Sequence, residues 1–375
     1  MNILSIESSC DETAAAVLQT GENFPSDPTD FKLLSNVVVS QIDIFKAYGG
    51  VIPEVAARSH LEAILPVLHQ ALSKANLTWP QITHISVTHT PGLLGSLLIG
   101  TLTARTLAIL HNKPFYPIHH LKSHIYSALL PDPKSPTSEK SPTSKAIQNG
   151  FSPNGTISGS IFLRENTIGK PPVTTGGLTG ARNSTVGEKA ILNSRSLQFP
   201  ALALVVSGGH TQIIKITSHT TFKIISTTRD DAVGECFDKV AKILGLPYPG
   251  GPAISKTAKS GDPHKYPLPH PILKNPDGSH SLDFSFSGLK TAVLRAVQKE
   301  CNLPLNHPSH DLKNHLTKKQ IADFAASFEE TAVSILAENL LKSAKIHNPK
   351  SIIIAGGVSA NSRLRQKITQ LFTNN

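Results

Sequence analysis

The strongest constraint on what this chain can fold into is a pattern that occurs twice: an apolar run, a polar turn and a second apolar run. Ile3–Ile6 leads through Ser8-Ser9-Cys10-Asp11-Glu12-Thr13 into the apolar Ala14–Leu18, and Leu202–Val206 leads through Ser207-Gly208-Gly209-His210 into Thr211–Ile216. Short apolar runs bounded by turn residues read as strands, so each half of the chain opens on a β-hairpin. Between and after the hairpins the period changes. Leu61, Ile64, Leu65, Leu68 and Leu72 recur at helical spacing, as do the apolar positions from Leu93 to Leu110, which predicts two packed helices. Phe286–Val297, Ile321–Leu341 and Asn361–Leu371 predict further helices, and Ser351–Ala355 a buried strand entering the turn Gly356-Gly357. Strands alternating with helices behind two like hairpins predict an internally duplicated α/β fold. With 375 residues, the chain also exceeds the length at which one core stops growing, about 250–300 residues. Two lobes are therefore expected, 1–118 and 119–130 joined to 200–375.

Residues 131–199 break the pattern. Ser135-Pro136-Thr137-Ser138 repeats at Ser141–Ser144, and Gly, Asn, Thr and Pro dominate the remainder of the stretch, so a largely disordered surface insertion is expected there. The formal net charge of +10 favours a polyanionic partner. Part of that charge lies in the insertion, which carries eight Lys or Arg against four Asp or Glu, and this weakens the case for a basic binding face on the core. No apolar run approaches the roughly 18 residues of a membrane span, and Met1–Glu7 has no basic leader, so no membrane partner and a cytoplasmic location are expected. Three well-separated cysteines, Cys10, Cys236 and Cys301, argue against a disulfide framework and for reduced thiols.

Several residues could carry chemistry. His120 and His124 are four apart, so on a helix their rings share a face at metal-ligand spacing; in a chain with 17 histidines the same spacing also arises by chance. Val205-Val206-Ser207-Gly208-Gly209 places two glycines at a hairpin tip, where backbone amides can approach phosphate oxygens, or where a tight turn simply needs positive φ. Tyr248-Pro249-Gly250-Gly251-Pro252 precedes one helix and Gly356–Asn361 another, and glycine turns feeding helix N-termini are natural anion sites. Three such turns in one α/β chain point to a nucleotide in a cleft between lobes. Asp238 could accept ribose hydroxyls or pair with Lys242. Asp11 and Glu12 could position a nucleophile or a metal-bound water, or be solvated turn residues.

Taken in order, these stretches resemble the TsaD family, once called O-sialoglycoprotein endopeptidases. The matching segments are Ile6–Thr13, GGVIPEVAARSH at Gly49–His60, Pro91–Leu97, His120–His124, VSGGHTQ at Val206–Gln212, Asp230–Pro252, DFSFSGLKTAV at Asp283–Val293 and GGVSANSRL at Gly356–Leu364. The resemblance implies an actin, Hsp70 and sugar-kinase type fold with two duplicated lobes around a nucleotide. It implies transfer of the threonylcarbamoyl group from threonylcarbamoyl-AMP to N6 of the adenosine next to the anticodon, in tRNAs that read ANN codons, with release of AMP. His120 and His124 would hold one divalent ion, Fe(2+) in first place and Zn(2+) as the alternative. Val205, Val206, Ser207, Gly208 and Gly209 would form the substrate loop, with Asp238, Gly251 and Asn361 as further adenylate contacts. Asp11 and Glu12 are the catalytic candidates, and TsaB and TsaE the protein partners.

Two departures accompany the resemblance. The family's further metal-binding aspartate, in a segment resembling CTDNGAM, has no counterpart in these residues, whose last acidic side chain is Glu338. Ser255 stands where relatives often carry an acidic residue. A catalytically weakened scaffold that pairs with TsaB is therefore the second reading. The absence of HExxH speaks against the old protease name; a sugar-kinase-like phosphotransferase would share the fold and the cleft, and what discriminates it is the histidine pair at the phosphates, with transfer to tRNA rather than to a sugar hydroxyl.

Overall fold

A computed structural model of the chain describes residues 1–21, 30–128, 161–164, 197–309 and 311–373. Most of the stretch expected to be an insertion, 131–199, lies outside the described residues. The chain divides into two compact units, Met1–Ser158 and Gly159–Asn375, so residues 119–128 fall in the first, whereas the sequence pattern joins them to the second.

In the first unit β1 (Asn2–Glu7), β2 (Glu12–Thr20) and β3 (Phe31–Ser40) form an antiparallel meander. Two helices, α1 (Ile42–Lys46) and α2 (Pro53–Lys74), lead to β4 (His84–Thr90); α3 (Leu94–Leu110), β5 (Phe115–His119) and α4 (His120–Ser127) come next. The sheet order is β3-β2-β1-β4-β5, with β4 parallel to β1 and β5 parallel to β4. Ile85–Thr88 of β4 is buried without a break, as a strand covered on both faces requires. Leu4, Ile6, Val17, Ile85 and Val87 meet Ile64, Val67 and Leu68 of α2 in one core. Leu61 and Leu65, expected to be packed, are 64% and 66% exposed. Apolar spacing announces the helix, but two apolar stripes share it, and the sheet buries only the one through Ala56, His60, Ile64 and Val67.

The second unit repeats part of this plan. A meander of β7 (Ala201–Val206), β8 (Thr211–Ile216) and β9 (Phe222–Thr227) comes after β6 (Ile161–Arg164). Then come α5 (Val233–Ile243), α6 (Gly250–Ala258), α7 (Ser287–Glu300), α8 (Lys318–His347), β10 (Ser351–Ala355) and α9 (Ser362–Thr373). The order is β6-β10-β7-β8-β9, with β10 parallel to β7. Four strands of each sheet thus share one arrangement, a meander plus a strand parallel to its first member. The fifth differs: β6 lies inside the stretch expected to be an insertion, yet it pairs antiparallel with β10. Every residue of β7 and β10 is buried, and the long α8, started by the Thr317–Gln320 capping box, packs Phe324, Phe328 and Val333 into the same core.

Candidate functional site

In the first unit the chemistry gathers where β1 ends. His120 opens α4 and His124 lies one turn on, which brings their Nε2 atoms to 2.9 Å with ring centroids 4.3 Å apart. Behind His120, Nδ1 faces Glu7 Oε2 at 3.4 Å and Ser9 Oγ at 3.2 Å. An ionised carboxylate only accepts, so a proton sits on Nδ1, which leaves Nε2, now against His124, as the nitrogen that can coordinate an ion. Two ligand nitrogens on one tetrahedral ion lie about 3.3 Å apart, so this pair fits a divalent ion with little movement. Among the described residues, no further His, Cys, Asp or Glu brings a third ligand atom within 4.8 Å of both.

Glu7 is a candidate functional residue that the sequence pattern does not single out. Burial pushes its carboxyl up, but the hydrogen bond and charge of His120, then the Ser9 and Thr88 side chains, outweigh burial and hold it at about 2; Ser9 N–H also donates to Oε1 at 2.5 Å. A carboxylate behind a ligating imidazole fixes its tautomer, and loss of such a partner typically costs about 10–100-fold in metal affinity. Glu7→Gln is expected to weaken ion binding by that amount in a metal titration; equal affinity would remove Glu7 from this role. Its folded pKa lies below the ordinary value of 4.5, so its stabilisation is complete above pH 4.5 and is lost as the pH falls towards 2. The variant's stability should not change through that window.

The turn carrying Asp11 and Glu12 is held from below. His60 is fully buried and joins Thr13 Oγ1 at 2.8 Å to the Cys10 carbonyl at 3.0 Å. Burial keeps this imidazole below its ordinary value, so it serves as a neutral strut. Ser8 Oγ donates to the Ser96 carbonyl at 2.8 Å and ties the turn to α3. Burial first, and then the charges of Asp11 and Glu7, push the Glu12 carboxyl up to about 7.

In the second unit the expected substrate residues form one connected group at the carboxyl ends of the parallel strands β7 and β10, the place where open α/β sheets bind ligands. Val205 and Val206 are core side chains, so only their backbone can face a ligand. Ser207 O accepts Gly234 N–H at 3.2 Å, which seats the N-terminus of α5 on the loop. Asp238, on α5, accepts Gly250 N–H at 2.6 Å and so caps α6. Asn361 caps α9 through Leu364 N–H at 2.9 Å, while its Nδ2 reaches Ser255 Oγ at 2.9 Å and Glu329 Oε1 at 2.7 Å. Ser255 Oγ itself donates to Glu329 at 2.6 Å. Glu329 is only 8% exposed, and it supplies a carboxylate beside the position where Ser255 departs from the expected acid. A cavity of about 270 Å³ opens beside Ser255, Glu329 and Arg363.

The glycines of these turns fall into two classes. Gly356 has φ +91° and stands against Val206, where a Cβ would lie 2.4 Å from the carbonyl oxygen, so both backbone and packing require it. Gly208, Gly209, Gly251 and Gly357 have no positive φ, and a Cβ on any of them would meet nothing within 4 Å. The tight-turn explanation for Gly208-Gly209 therefore fails: nothing inside the protein asks for glycine there.

A family model described as tRNA N6-adenosine threonylcarbamoyltransferase, TsaD, matches residues 32–142 and 185–375. Proteins of that name are similar over nearly the whole chain. That of Gloeothece citriformis is 39% identical over 372 residues, 99% of this chain and 83% of its own. That of Symbiobacterium thermophilum is 40% identical over 366 residues, 98% and 81%, and that of Christiangramia forsetii 40% over 368 residues, 98% and 83%. Among solved structures, YeaZ from Pseudomonas aeruginosa overlaps with a TM-score of 0.24 at 16% identity, covering 34% of this chain and 48% of that one, too slight a likeness to bear on fold or partners.

Proposed function

The chain belongs to the TsaD family of tRNA N6-adenosine threonylcarbamoyltransferases, and from that premise we propose how its own residues serve the transfer. It is a transferase acting on tRNA, forming N6-threonylcarbamoyladenosine. The relatives carry the transferase name across 98–99% of this chain, which favours the enzyme over a scaffold that only pairs with TsaB.

In our reading the donor is threonylcarbamoyl-AMP. The adenosine N6 attacks its carbamoyl carbon, the bond from that carbon to the phosphate oxygen breaks, AMP leaves with the electron pair, and N6 gives up one proton. Ser207, Gly208 and Gly209, with the N-termini of α5 and α6, cradle the phosphate, since unsatisfied helix amides and backbone free of side chains favour an anion. Gly251, Asp238 and Asn361 hold the nucleoside, and Glu329 takes the part of the acid that Ser255 lacks. Glu12 receives the N6 proton, its carboxyl pushed up by burial and then by the charges of Asp11 and Glu7. His120 and His124 bind one divalent ion, Fe(2+) or Zn(2+), which would supply Lewis-acid charge to the acyl phosphate.

One observation carries this reading: four glycines, three just past the ends of β7 and β10 and one in the first turn of α6, that neither backbone nor packing demands. Gly209→Val and Gly251→Val are expected to leave thermal unfolding unchanged and to weaken AMP binding at least tenfold. Gly356→Ala should instead cost about 2–4 kcal/mol of stability, because positive φ and a backbone clash coincide. Calorimetric AMP titration beside thermal melts separates the two classes, and equal AMP affinity in both valine variants would overturn the phosphate cradle.

We take the shared four-strand order of the two sheets as support for a duplicated actin-like fold. An apolar face supports a protein partner, TsaB: Leu61 and Leu65 of α2, with Leu94, Leu98 and Leu102 of α3, are 47–76% exposed. TsaE rests on the family alone. None of the described helices is long and apolar enough to cross a membrane, and a tRNA substrate supports a cytoplasmic location. The test of the whole reading is reconstitution of the purified chain with TsaB, TsaE, tRNA, threonine, bicarbonate and ATP, with the modified nucleoside sought by mass spectrometry. Absence of product with an active TsaB and TsaE would sink it.

A further inference from the structure

A second cluster of metal-ligating side chains lies on the connection from α7 to α8, well apart in sequence from the histidine pair, the Asp11-Glu12 turn and the glycine turns. That connection is built firmly. Gln298, 2% exposed, donates Nε2 to the Leu305 carbonyl at 3.1 Å and the His307 carbonyl at 3.5 Å. His307 N–H returns to Pro304 O at 2.9 Å, Asp311 N–H to Pro308 O at 3.2 Å and Asn314 N–H to Asp311 O at 3.0 Å. Leu312, fully buried, nails the turn Leu312–His315 to the core.

On this frame the spacing 307, 311, 315 turns three side chains to one point. His307 Nε2 and His315 Nε2 lie 3.0 and 3.1 Å from the same oxygen, Asp311 Oδ2. The two rings stand at 86° with centroids 5.4 Å apart, so both edges face that oxygen without stacking. The other carboxylate oxygen, Oδ1, is held by Asn314 Nδ2 at 2.8 Å, which orients Asp311 as outer partners orient metal ligands. Among the described residues, no other trio of His, Cys, Asp or Glu has its ligand atoms within 4.8 Å of one another.

We propose that His307, Asp311 and His315 form a second divalent-metal site, separate from His120 and His124, that takes Zn(2+) or a similar borderline transition ion. Two imidazoles and one carboxylate suit such ions and not Ca(2+) or Mg(2+), which want oxygen ligands. Ligand atoms around a tetrahedral ion sit about 3.3 Å apart; both nitrogen–oxygen distances fall within a few tenths of an ångström of that, and all three ligand atoms lie within 4.8 Å of one another. The side chains are 20%, 38% and 40% exposed, which leaves the fourth position to water. The ion would staple the connection between the two helices, taking the place of the contacts that both Nε2 atoms now make with Asp311.

The experiment uses the full chain carrying His120→Ala and His124→Ala, stripped with chelator and titrated with Zn(2+) by calorimetry. One equivalent is expected. Adding His307→Gln with His315→Gln should remove it or weaken it at least 100-fold, and Asp311→Asn alone should weaken it at least tenfold. In the His120→Ala, His124→Ala chain, Zn(2+) should raise Tm and Co(2+) should give visible bands of four or five coordination; both signals should vanish when the triad substitutions are added. Metal-free melts and far-UV circular dichroism show whether each variant is folded, and the glutamine pair keeps hydrogen-bonding capacity if Asp311→Asn is not. A turn held by hydrogen bonds only would give no zinc equivalent in the His120→Ala, His124→Ala chain, or the same stoichiometry and affinity with and without the triad. Either result overturns the site.

Discussion

Glu12→Gln is expected to lower threonylcarbamoyl transfer by about 10²–10⁴-fold, the usual worth of a positioned general base, and to abolish an ascending limb in the rate profile near pH 7. Burial, with the charges of Asp11 and Glu7, pushes the Glu12 carboxyl up to about 7. Below that pH the group is protonated and cannot take the N6 proton; above it the carboxylate is available, so the rate rises as pH passes through 7. Glutamine matches the side chain in size but never accepts a proton. His60 and Ser8 hold the turn independently of Glu12, so the variant should fold and should bind AMP as the parent does. An ascending limb of unchanged position and height in Glu12→Gln would assign the proton to another group. Asp11→Asn gives a second check: with one neighbouring charge gone, the limb should move to lower pH.

His120→Ala or His124→Ala should each remove the ion and lower transfer by at least 100-fold. Even partners behind metal ligands are worth about 10–100-fold, and these two nitrogens would themselves be ligands. Truncation at His120 leaves Glu7 half-buried and charged without the imidazole that holds its carboxyl at about 2, so some stability is lost as well. His120→Gln, which keeps a polar group beside Glu7, separates the two effects: it should melt closer to the parent and still fail to retain metal. Metal content equal to the parent's in the double alanine variant would place the ion elsewhere, with His307, Asp311 and His315 as the competing location that the separate titration reads.

Much of the framework is legible in the residues because its signals are local. Hairpins at Ile3–Leu18 and Leu202–Ile216 announce themselves by two apolar runs around a polar turn, and α3, α7, α8 and α9 by apolar spacing. The features that escape such a reading depend on distant partners. Glu7 reads as an exposed strand end until Thr88 and His120, 81 and 113 residues away, are brought against it; the available clue is a carboxylate closing an apolar run, which burial tolerates only with partners. Glu329 likewise sits in the apolar stretch of α8, and only the fold shows that it answers Ser255 and Asn361. β6 stays hidden because four residues in a polar, repetitive stretch give too little pattern to find, while β10 supplies the pairing from about 190 residues on. The substrate positions are legible as glycines, but which ones the fold itself requires is not: that depends on whether a Cβ would meet anything.

That division among the glycines bears on how the protein tolerates change. Gly208, Gly209 and Gly357 hang from β7 and β10, strands with no exposed residue, Gly251 lies in the first turn of α6, and Gly356 is interlocked with the Val206 carbonyl. Screens that select for expression or heat resistance will therefore see Gly356 and be blind to Gly208, Gly209, Gly251 and Gly357. Variation at those four positions would accumulate as abundant, well-folded protein that modifies no tRNA, a class of defect detectable only by assaying the product.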